Sequence, residues 1–401
     1  MTFLQAAISQ VTENDNCSGC GGCALVSVRV SMGLDDDGFL RPSVSESSVS
    51  GVNDEAEALR FKQICPGVAV VKQGDDSPLR HRLFGGYVSV WQGWAVDPDV
   101  RQLGSSGGVL TALSRWLIET DRAAKVVGCQ REAGVSARTV PTDASSVNEV
   151  LDMAGSRYAP VGVLPLFVKN SSQTALVGKP CEVYAARKLA ELDQPSDSDS
   201  VLLSFFCAGV PSQHATDRLV QELGADPERV TKLRYRGNGW PGTFAVEDLD
   251  GNAGSVSYEK SWGAHLGKQL QWRCKLCPDG TGTFADISVG DFWVSDEKGF
   301  PIFSEGKGES VVIARTHRGH DLLMQASDDG VIALEQMSLS DVDRVQPLQV
   351  TRMRTLFGRL LGRVARGKRV PRYRGFDLTG LALSNPARSA RSALGTWRRS
   401  K

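Results

Sequence analysis

Nine cysteines carry most of the chemistry available to this chain, and four of them form one pattern. Cys17, Cys20 and Cys23 are separated by two intervening residues each, and a distant Cys65 stands before Pro66. Three thiolates at that spacing wrap one face of a cuboidal iron–sulfur cluster, while the fourth arrives from elsewhere, commonly before a proline. Ser18, Gly19, Gly21 and Gly22 fill the gaps. Such small residues let the backbone fold tightly and aim N–H groups at the sulfurs, which tunes the potential. Zinc knuckles use paired CxxC units or include histidine, and no histidine lies near either end of this set. The pattern favours a [4Fe–4S] cluster over zinc or plain structural cysteines.

Four more cysteines are scattered: Cys181, Cys207, and Cys274-x2-Cys277 before Pro278. Cys181 and Cys207 fall at or just past the ends of predicted strands, which in an open α/β sheet commonly face one crevice. A CxxC pair would complete four thiolates there. By spacing alone the set also reads as a zinc half-site plus two buried strand cysteines. Cys129 is left over and reads as a small buried residue on a strand.

Positioning these residues takes 401 residues, enough for two or three domains. The net charge is zero, but the segment from Thr351 to Lys401 has 14 Lys and Arg against one acid, Asp377. A tail of that charge suits an anionic partner or surface. No apolar run reaches membrane-spanning length, and Met1–Asp15 lacks a signal-peptide pattern. We expect a cytoplasmic protein with no nucleic-acid partner. Clustered cytosolic cysteines bind metal or do redox chemistry more often than they form disulfides.

Residues 1–75 read as a small module, with a strand at Val28–Val30, a turn at Asp35–Gly38 and a helix at Asp54–Gln63. A polar linker, Lys72–His81, closes it. Residues 85–335 read as an α/β domain with strands at Tyr87–Val96, Lys125–Cys129, Thr174–Gly178, Val201–Cys207 and Ser310–Ala314. Helices fall at Val109–Leu117, Glu182–Leu192, His214–Leu223 and His320–Ala326. Val230–Arg236, Phe244–Asp248 and Ser255–Tyr258 read as antiparallel strands. Residues 345–401 form a basic tail. Val350, Met353, Leu356, Phe357, Leu360, Leu361 and Val364 make one helix face, with Arg352, Arg359, Arg363 and Arg366 off it. The helix either packs its apolar stripe on the enzyme, leaving the arginines solvated, or lies peripherally on an anionic membrane. The last 25 residues read as poorly ordered.

Several segments together resemble one family. They are Gly104-Ser105-Ser106-Gly107-Gly108, Gly155-Ser156-Arg157-Tyr158, Gly178-Lys179-Pro180-Cys181, Phe206–Pro211, Tyr235-Arg236-Gly237-Asn238-Gly239-Trp240-Pro241-Gly242, Cys274–Asp279 and Ala285–Asp291. The chain resembles the beta subunits of coenzyme F420 hydrogenases and dehydrogenases, a family with 7-hydroxymethyl chlorophyll a reductase-like members, over roughly Cys17 to Ala326. The resemblance implies an α/β (α+β) fold in which a ferredoxin-like [4Fe–4S] module precedes an FAD-binding α/β domain. It also implies that Cys181, Cys207, Cys274 and Cys277 hold a second [4Fe–4S] cluster beside the FAD, with Cys17, Cys20, Cys23 and Cys65 as the outer one.

Within that frame Ser105, Ser106, Gly107 and Gly108, at a helix start, suit a pyrophosphate, although an ordinary serine cap leaves the same trace. Ser156, Arg157, Tyr158, Lys179 and Asn238 are further candidate flavin contacts. Arg157 and Lys179 read equally as solvated charges at loop ends. Trp240 reads as a substrate-stacking ring or as core, and Asp286 and Asp291 as caps or as walls of the redox pocket. No catalytic residue stands out. The expected function is an iron–sulfur flavoprotein oxidoreductase that passes electrons between the clusters and FAD and exchanges hydride with coenzyme F420 or a related small organic substrate. A ferredoxin or another redox protein would be its partner. The alternatives are a ferredoxin-dependent reductase of another substrate and an electron-transfer subunit of a larger complex.

Overall fold

A computed structural model of the chain describes residues 1–45, 53–72, 78–169, 173–193, 200–297 and 302–400. Of the expected linker Lys72–His81, residues 73–77 lie outside the described part.

Helix α1 (Phe3–Thr12) starts at Thr2, whose hydroxyl accepts from Gln5 N–H. Its buried Leu4, Ala7, Ile8 and Val11 recur at helical spacing and pack on Ala58, Phe61 and Ile64 of α2 (Asp54–Ile64). Between the two helices Val30–Leu34 pairs with Leu40–Val44 across a turn in which the Asp35 carboxylate accepts from the N–H groups of Asp37 and Phe39. The expected strand at Val28–Val30 is displaced. Val28 is 85% exposed and pairing begins at Val30, because the partner strand and the turn, rather than local valine content, set the register.

Asp54 staples this module. It accepts from Phe3 N–H and Leu4 N–H and meets Arg29 at 2.6 Å. Its desolvation opposes ionisation, but the bonds from Arg29, Thr2, Phe3 and Leu4 outweigh that and hold the carboxyl below its ordinary value. A depressed carboxyl pKa contributes stability that is present above the unfolded value of about 3.9 and is lost as pH falls through the folded one. Asp54→Asn should lower Tm by about 2 °C at pH 7 and flatten the acid limb of the Tm–pH curve. An acid limb identical to wild type in thermal scans would refute this role.

The main sheet has eight strands. In chain order β1 is Ser89–Ala95, β2 Lys125–Glu132, β3 Val135–Ala144, β4 Thr174–Gly178 and β5 Val201–Phe205. A separate antiparallel unit contributes β6 (Val230–Arg234), β7 (Thr243–Asp248) and β8 (Ala253–Ser257). The large sheet then takes β9 (Ile287–Asp291), β10 (Ser310–Ala314) and β11 (Ile332–Gln336). Its spatial order is β11-β1-β10-β9-β5-β4-β2-β3. The central four, β9, β5, β4 and β2, run parallel and the flanking pairs antiparallel. The fold is a mixed α/β arrangement around this mixed sheet.

Alternate side chains of the parallel strands enter two cores, as a pleated strand requires. Ala175, Val201 and Leu203 meet Leu113, Trp116 and Leu117 of α3 (Val109–Glu119) on one face. Leu176 and Leu202 meet Val183 and Ala186 of α4 (Pro180–Asp193) on the other. Helices thus cover both sides, which is why β5 reads as a nearly continuous apolar run. β4 and β5 are parallel neighbours, so the segments leaving their C-terminal ends, with Cys181 and Cys207, emerge at one edge of the sheet.

The tail is integrated. Helix α5 (Pro347–Val364) buries Val350, Met353 and Leu356. Of the four arginines expected to be solvated, Arg366 is exposed, but Arg352 and Arg363 are buried, at 6% and 0% exposure, and Arg359 is half-buried. The last 25 residues are also not the loose segment expected. They form Leu378–Leu383 and α6 (Pro386–Arg399). Asn385 caps α6 by accepting from Arg388 N–H, and proline occupies its first turn. Alanine and arginine are strong helix formers, and α6 gains a partner in α5 through Arg388 to Thr351 and Ser392 to Thr355. Among the described residues no helix is long and apolar enough to cross a membrane.

Candidate functional site

Cys17, Cys20, Cys23 and Cys65 line one pocket with Ile8, Val11, Phe61 and Ile64. Its walls bound about 390 Å³ of space, part of it open to solvent. The loop after α1, the turn Gly22–Leu25 and the C-terminal cap of α2 bring the four together. Gly19 N–H points at Cys17 Sγ, 3.4 Å away. Burial pushes all four thiols up. At Cys23 and Cys65 the neighbouring cysteines of the set push further in the same direction. Four thiolates cannot share this pocket without a cationic centre, and a metal deprotonates its thiols outright. A single zinc needs donors about 2.3 Å from a common point. Among the described residues no group of three or more His, Cys, Asp or Glu is arranged to hold one metal ion. Four thiols, two buried and two half-buried, around a common cavity suit a multinuclear cluster.

The second set shares one electrostatic neighbourhood around Cys207 and Arg273. Cys207 is pushed up to about 12, by burial first and then by Cys274 and Cys277, with Arg352 and Lys179 opposing. Cys181 feels Cys207 and, from the first set, Cys20. Val210 N–H and Gln271 Nε2 donate to Cys274 Sγ at 3.3 and 3.4 Å, the kind of N–H···S contact that tunes a ligand. Cys207 N–H donates to Gly280 O, joining the two cysteine-bearing loops. Cys129 lies on β2 in the core cluster that holds Cys20 and Cys181.

Two residues missed from the sequence lie between the sets. Gln271 Nε2 donates to Ser18 O as well as to Cys274 Sγ, and its Oε1 accepts from Arg41. Arg273 donates to Pro66 O and is buried beside Cys277, Cys181 and Cys274. Their adjacency to the CxxC pair was the available signal.

The flavin candidates divide. Ser105 Oγ accepts from Ser156 N–H at 2.6 Å and donates to Arg236 O at 3.4 Å, so the loops 104–108, 155–158 and 235–242 meet. Ser106 Oγ donates to Glu309 O, and Gly107 N–H donates to Ser310 Oγ. Gly107 is needed by the protein itself, since a Cβ there would stand 2.7 Å from Gly93 O. Gly108 precedes α3, whose start carries no side-chain cap. Arg157 is not a solvated charge at a loop end. Its guanidinium donates to Thr139 Oγ1, Ser136 O and Arg138 O and lies over the Tyr235 ring. Tyr158 packs among Tyr235, Tyr258 and Trp262. Lys179 is buried, with Nζ 2.6 Å from both Val161 O and Glu182 Oε1. Burial opposes its charge, but Glu182 and Cys181 overcome that and raise its pKa. Asn238 is exposed, at a left-handed φ of 57°.

Arg236, part of a motif in the sequence but given no role there, is the centre of this region. It is 2% exposed, donates to Asp291 Oδ2 at 2.7 Å and to Pro241 O, and is enclosed by the rings of Trp240, Tyr258 and Trp293. Its Nη2 and Arg234 Nε are buried without a hydrogen-bond partner. Buried donors of this kind are costly unless an acceptor meets them, and phosphate or ring oxygens of a nucleotide cofactor are acceptors that fit. The two aspartates now differ. Asp286 accepts from Leu202 N–H, Arg187 and Thr316 within the sheet, whereas Asp291, at the end of β9, holds Arg236.

β9 also joins this region to the second cysteine set. Phe206, next to Cys207, donates its N–H to Val289 O, and its ring lies so close to Gly290 that a Cβ there would be 2.2 Å from it. The contacts run from Cys207 through Phe206 and Gly290 to Asp291 and Arg236.

Residues 90–167 match the N-terminal part, and residues 171–340 the C-terminal part, of the family described as coenzyme F420 hydrogenase/dehydrogenase, beta subunit. The chain belongs to this family. Its members are oxidoreductases. One is a coenzyme F420 hydrogenase subunit beta from Methanococcus voltae, 28% identical over 67% of this chain and 91% of its own. Another is an F420-dependent formate dehydrogenase subunit beta from Methanocaldococcus jannaschii, 25% identical over 61% of each chain. A coenzyme F420-dependent sulfite reductase from the same organism is 21% identical over 86% of this chain, which spans 51% of that longer protein. Among solved structures, a chain of the F420-reducing [NiFe] hydrogenase complex from Methanosarcina barkeri has a TM-score of 0.49 at 20% identity, over 70% of this chain and 96% of its own. The family match ends at residue 340, before α5.

Proposed function

We propose that this family member is a cytoplasmic iron–sulfur flavoprotein in which Cys17, Cys20, Cys23 and Cys65 hold an outer [4Fe–4S] cluster. Cys181, Cys207, Cys274 and Cys277 hold an inner one, and an FAD lies at the loops 104–108, 155–158 and 235–242. The ferredoxin-like module is 1–75 and the flavin domain 85–335. Bound there, the flavin supplies exchange of a hydride with coenzyme F420 or a related organic substrate, and the clusters supply single-electron transfer to a ferredoxin or another redox partner.

The observation that carries this reading is the line of contacts from Ser18 and Pro66 through Gln271 and Arg273 to the second set, and from Cys207 through Phe206 to Asp291 and Arg236. Gln271 fixes Cys274 against the first ligand loop. Asp291 neutralises and orients Arg236, which leaves Nη2 for a bound anion or ring oxygen. Arg157 and Lys179 act through the scaffold, Arg157 by tying β3 to the motif loop and Lys179 by placing positive charge beside Cys181.

The test is which reductant bleaches the flavin of anaerobically purified protein. Reduced F420 should bleach its visible absorbance within mixing-scale times. Bleaching by reduced ferredoxin alone would replace F420 with another organic substrate, and bleaching only within a complex would make the chain an electron-transfer subunit.

A further inference from the structure

The C-terminal segment lies outside the family match, yet its side chains reach both loops that bear the second cysteine set. Arg352 donates to Cys207 O at 3.0 Å and Ala208 O at 2.7 Å, and Gln349 donates to Cys207 O at 3.2 Å. Arg359 donates to Lys275 O at 2.9 Å, between Cys274 and Cys277, and Tyr373 OH donates to Leu276 O at 2.7 Å. Gln349 and Arg352 are 4% and 6% exposed. These carbonyls belong to Cys207 or to residues next to Cys207, Cys274 and Cys277, so the bonds fix the backbone from which the thiols project. The same segment returns to the first module. Arg363 meets Asp15 at 2.9 Å, and Arg372–Arg374 pairs with Ala69–Val71, just after Cys65.

We infer that α5 and the segment after it are a cationic lid that closes the second cysteine set, with Arg352 and Arg359 as its positioning residues. The inference rests on the proposed second cluster. A side chain that satisfies ligand-loop carbonyls holds those loops closed, because opening them exposes buried acceptors at a cost. It also places positive charge beside a centre that gains negative charge on reduction, which favours the reduced state.

The test compares the full-length wild type with Arg352→Ala/Arg359→Ala, and with Arg391→Ala as a control on the exposed face of α6. Iron release to a ferrous chelator is followed under anaerobic conditions, with each cluster resolved by its EPR signal. The lid predicts loss of the second cluster's signal about tenfold faster in the double variant, which is the effect of weakening closure by about 1.4 kcal/mol. The first cluster and the control should keep wild-type rates, and the second cluster's midpoint potential should fall. Arg352→Lys, which keeps the charge but cannot fork to two carbonyls, should keep the potential while releasing iron faster than wild type. Equal release from both clusters, or wild-type release from the second, overturns the lid. A wild type with about four iron atoms or none removes the second cluster itself and refutes the reading on which the lid rests.

Discussion

Anaerobically purified protein should contain about eight iron atoms per chain, and Cys20→Ser/Cys23→Ser should lower this to about four. Both thiols line the first pocket. Serine keeps the shape but offers a hydroxyl, which does not ionise at neutral pH and is a poor ligand for iron beside sulfide. The surviving iron should show the EPR signal of the second set. Cys274→Ser/Cys277→Ser should do the converse and spare the first signal. Cys129→Ser is the internal control. Cys129 sits on β2 among apolar neighbours, and replacing it should leave the iron unchanged. Loss of all iron in the first double variant would deny that the two sets are independent, and loss of iron on changing Cys129 would deny the ligand assignment.

Glu182→Leu should be among the most destabilising single changes, by about 3–5 kcal/mol. Glu182 is 1% exposed, and its carboxylate accepts from Lys179 Nζ, Lys179 N–H and Val163 N–H. Removing it leaves a buried ammonium without its carboxylate and strips the start of α4, one residue from Cys181, of its acceptor. Two costs coincide: an uncompensated buried charge and an orphaned N–H pair. Replacing both partners, Lys179→Met with Glu182→Leu, should recover part of the loss, because an apolar pair removes the stranded charge. Equilibrium denaturation of the three proteins decides it. A single variant within about 1 kcal/mol of wild type, the scale of an ordinary surface change, would show that the pair contributes little.

Much of the site was legible in the chain because its signals are local. The spacing of Cys17, Cys20 and Cys23 is what one loop can wrap around a centre, and the structure gathers these with Cys65 in one pocket. Thr174–Gly178 and Ser310–Ala314 are strands at the expected bounds, since continuous apolar runs mark strands buried on both faces. The motif loops 104–108, 155–158 and 235–242 were each visible, but not their union through Ser105 and Ser156.

What the sequence determined by itself was the kind and local spacing of the candidate side chains and the family to which these segments belong. Only the tertiary structure decided which distant residues share a site. Cys181 and Cys207 meet because β4 and β5 are parallel neighbours, and strand order depends on every crossover between them. The arginines were the hardest to read. Arg236, Arg273, Arg352 and Arg363 look solvated by residue type, yet each is buried. A guanidinium enters a protein interior only where carbonyls, carboxylates or aromatic faces from other segments receive its donors, and no local pattern records where those acceptors lie. Of the nine cysteines, Cys17, Cys20, Cys23 and Cys65 could be grouped from spacing, whereas Cys181 and Cys207 stand at one sheet edge only because β4 and β5 are neighbours.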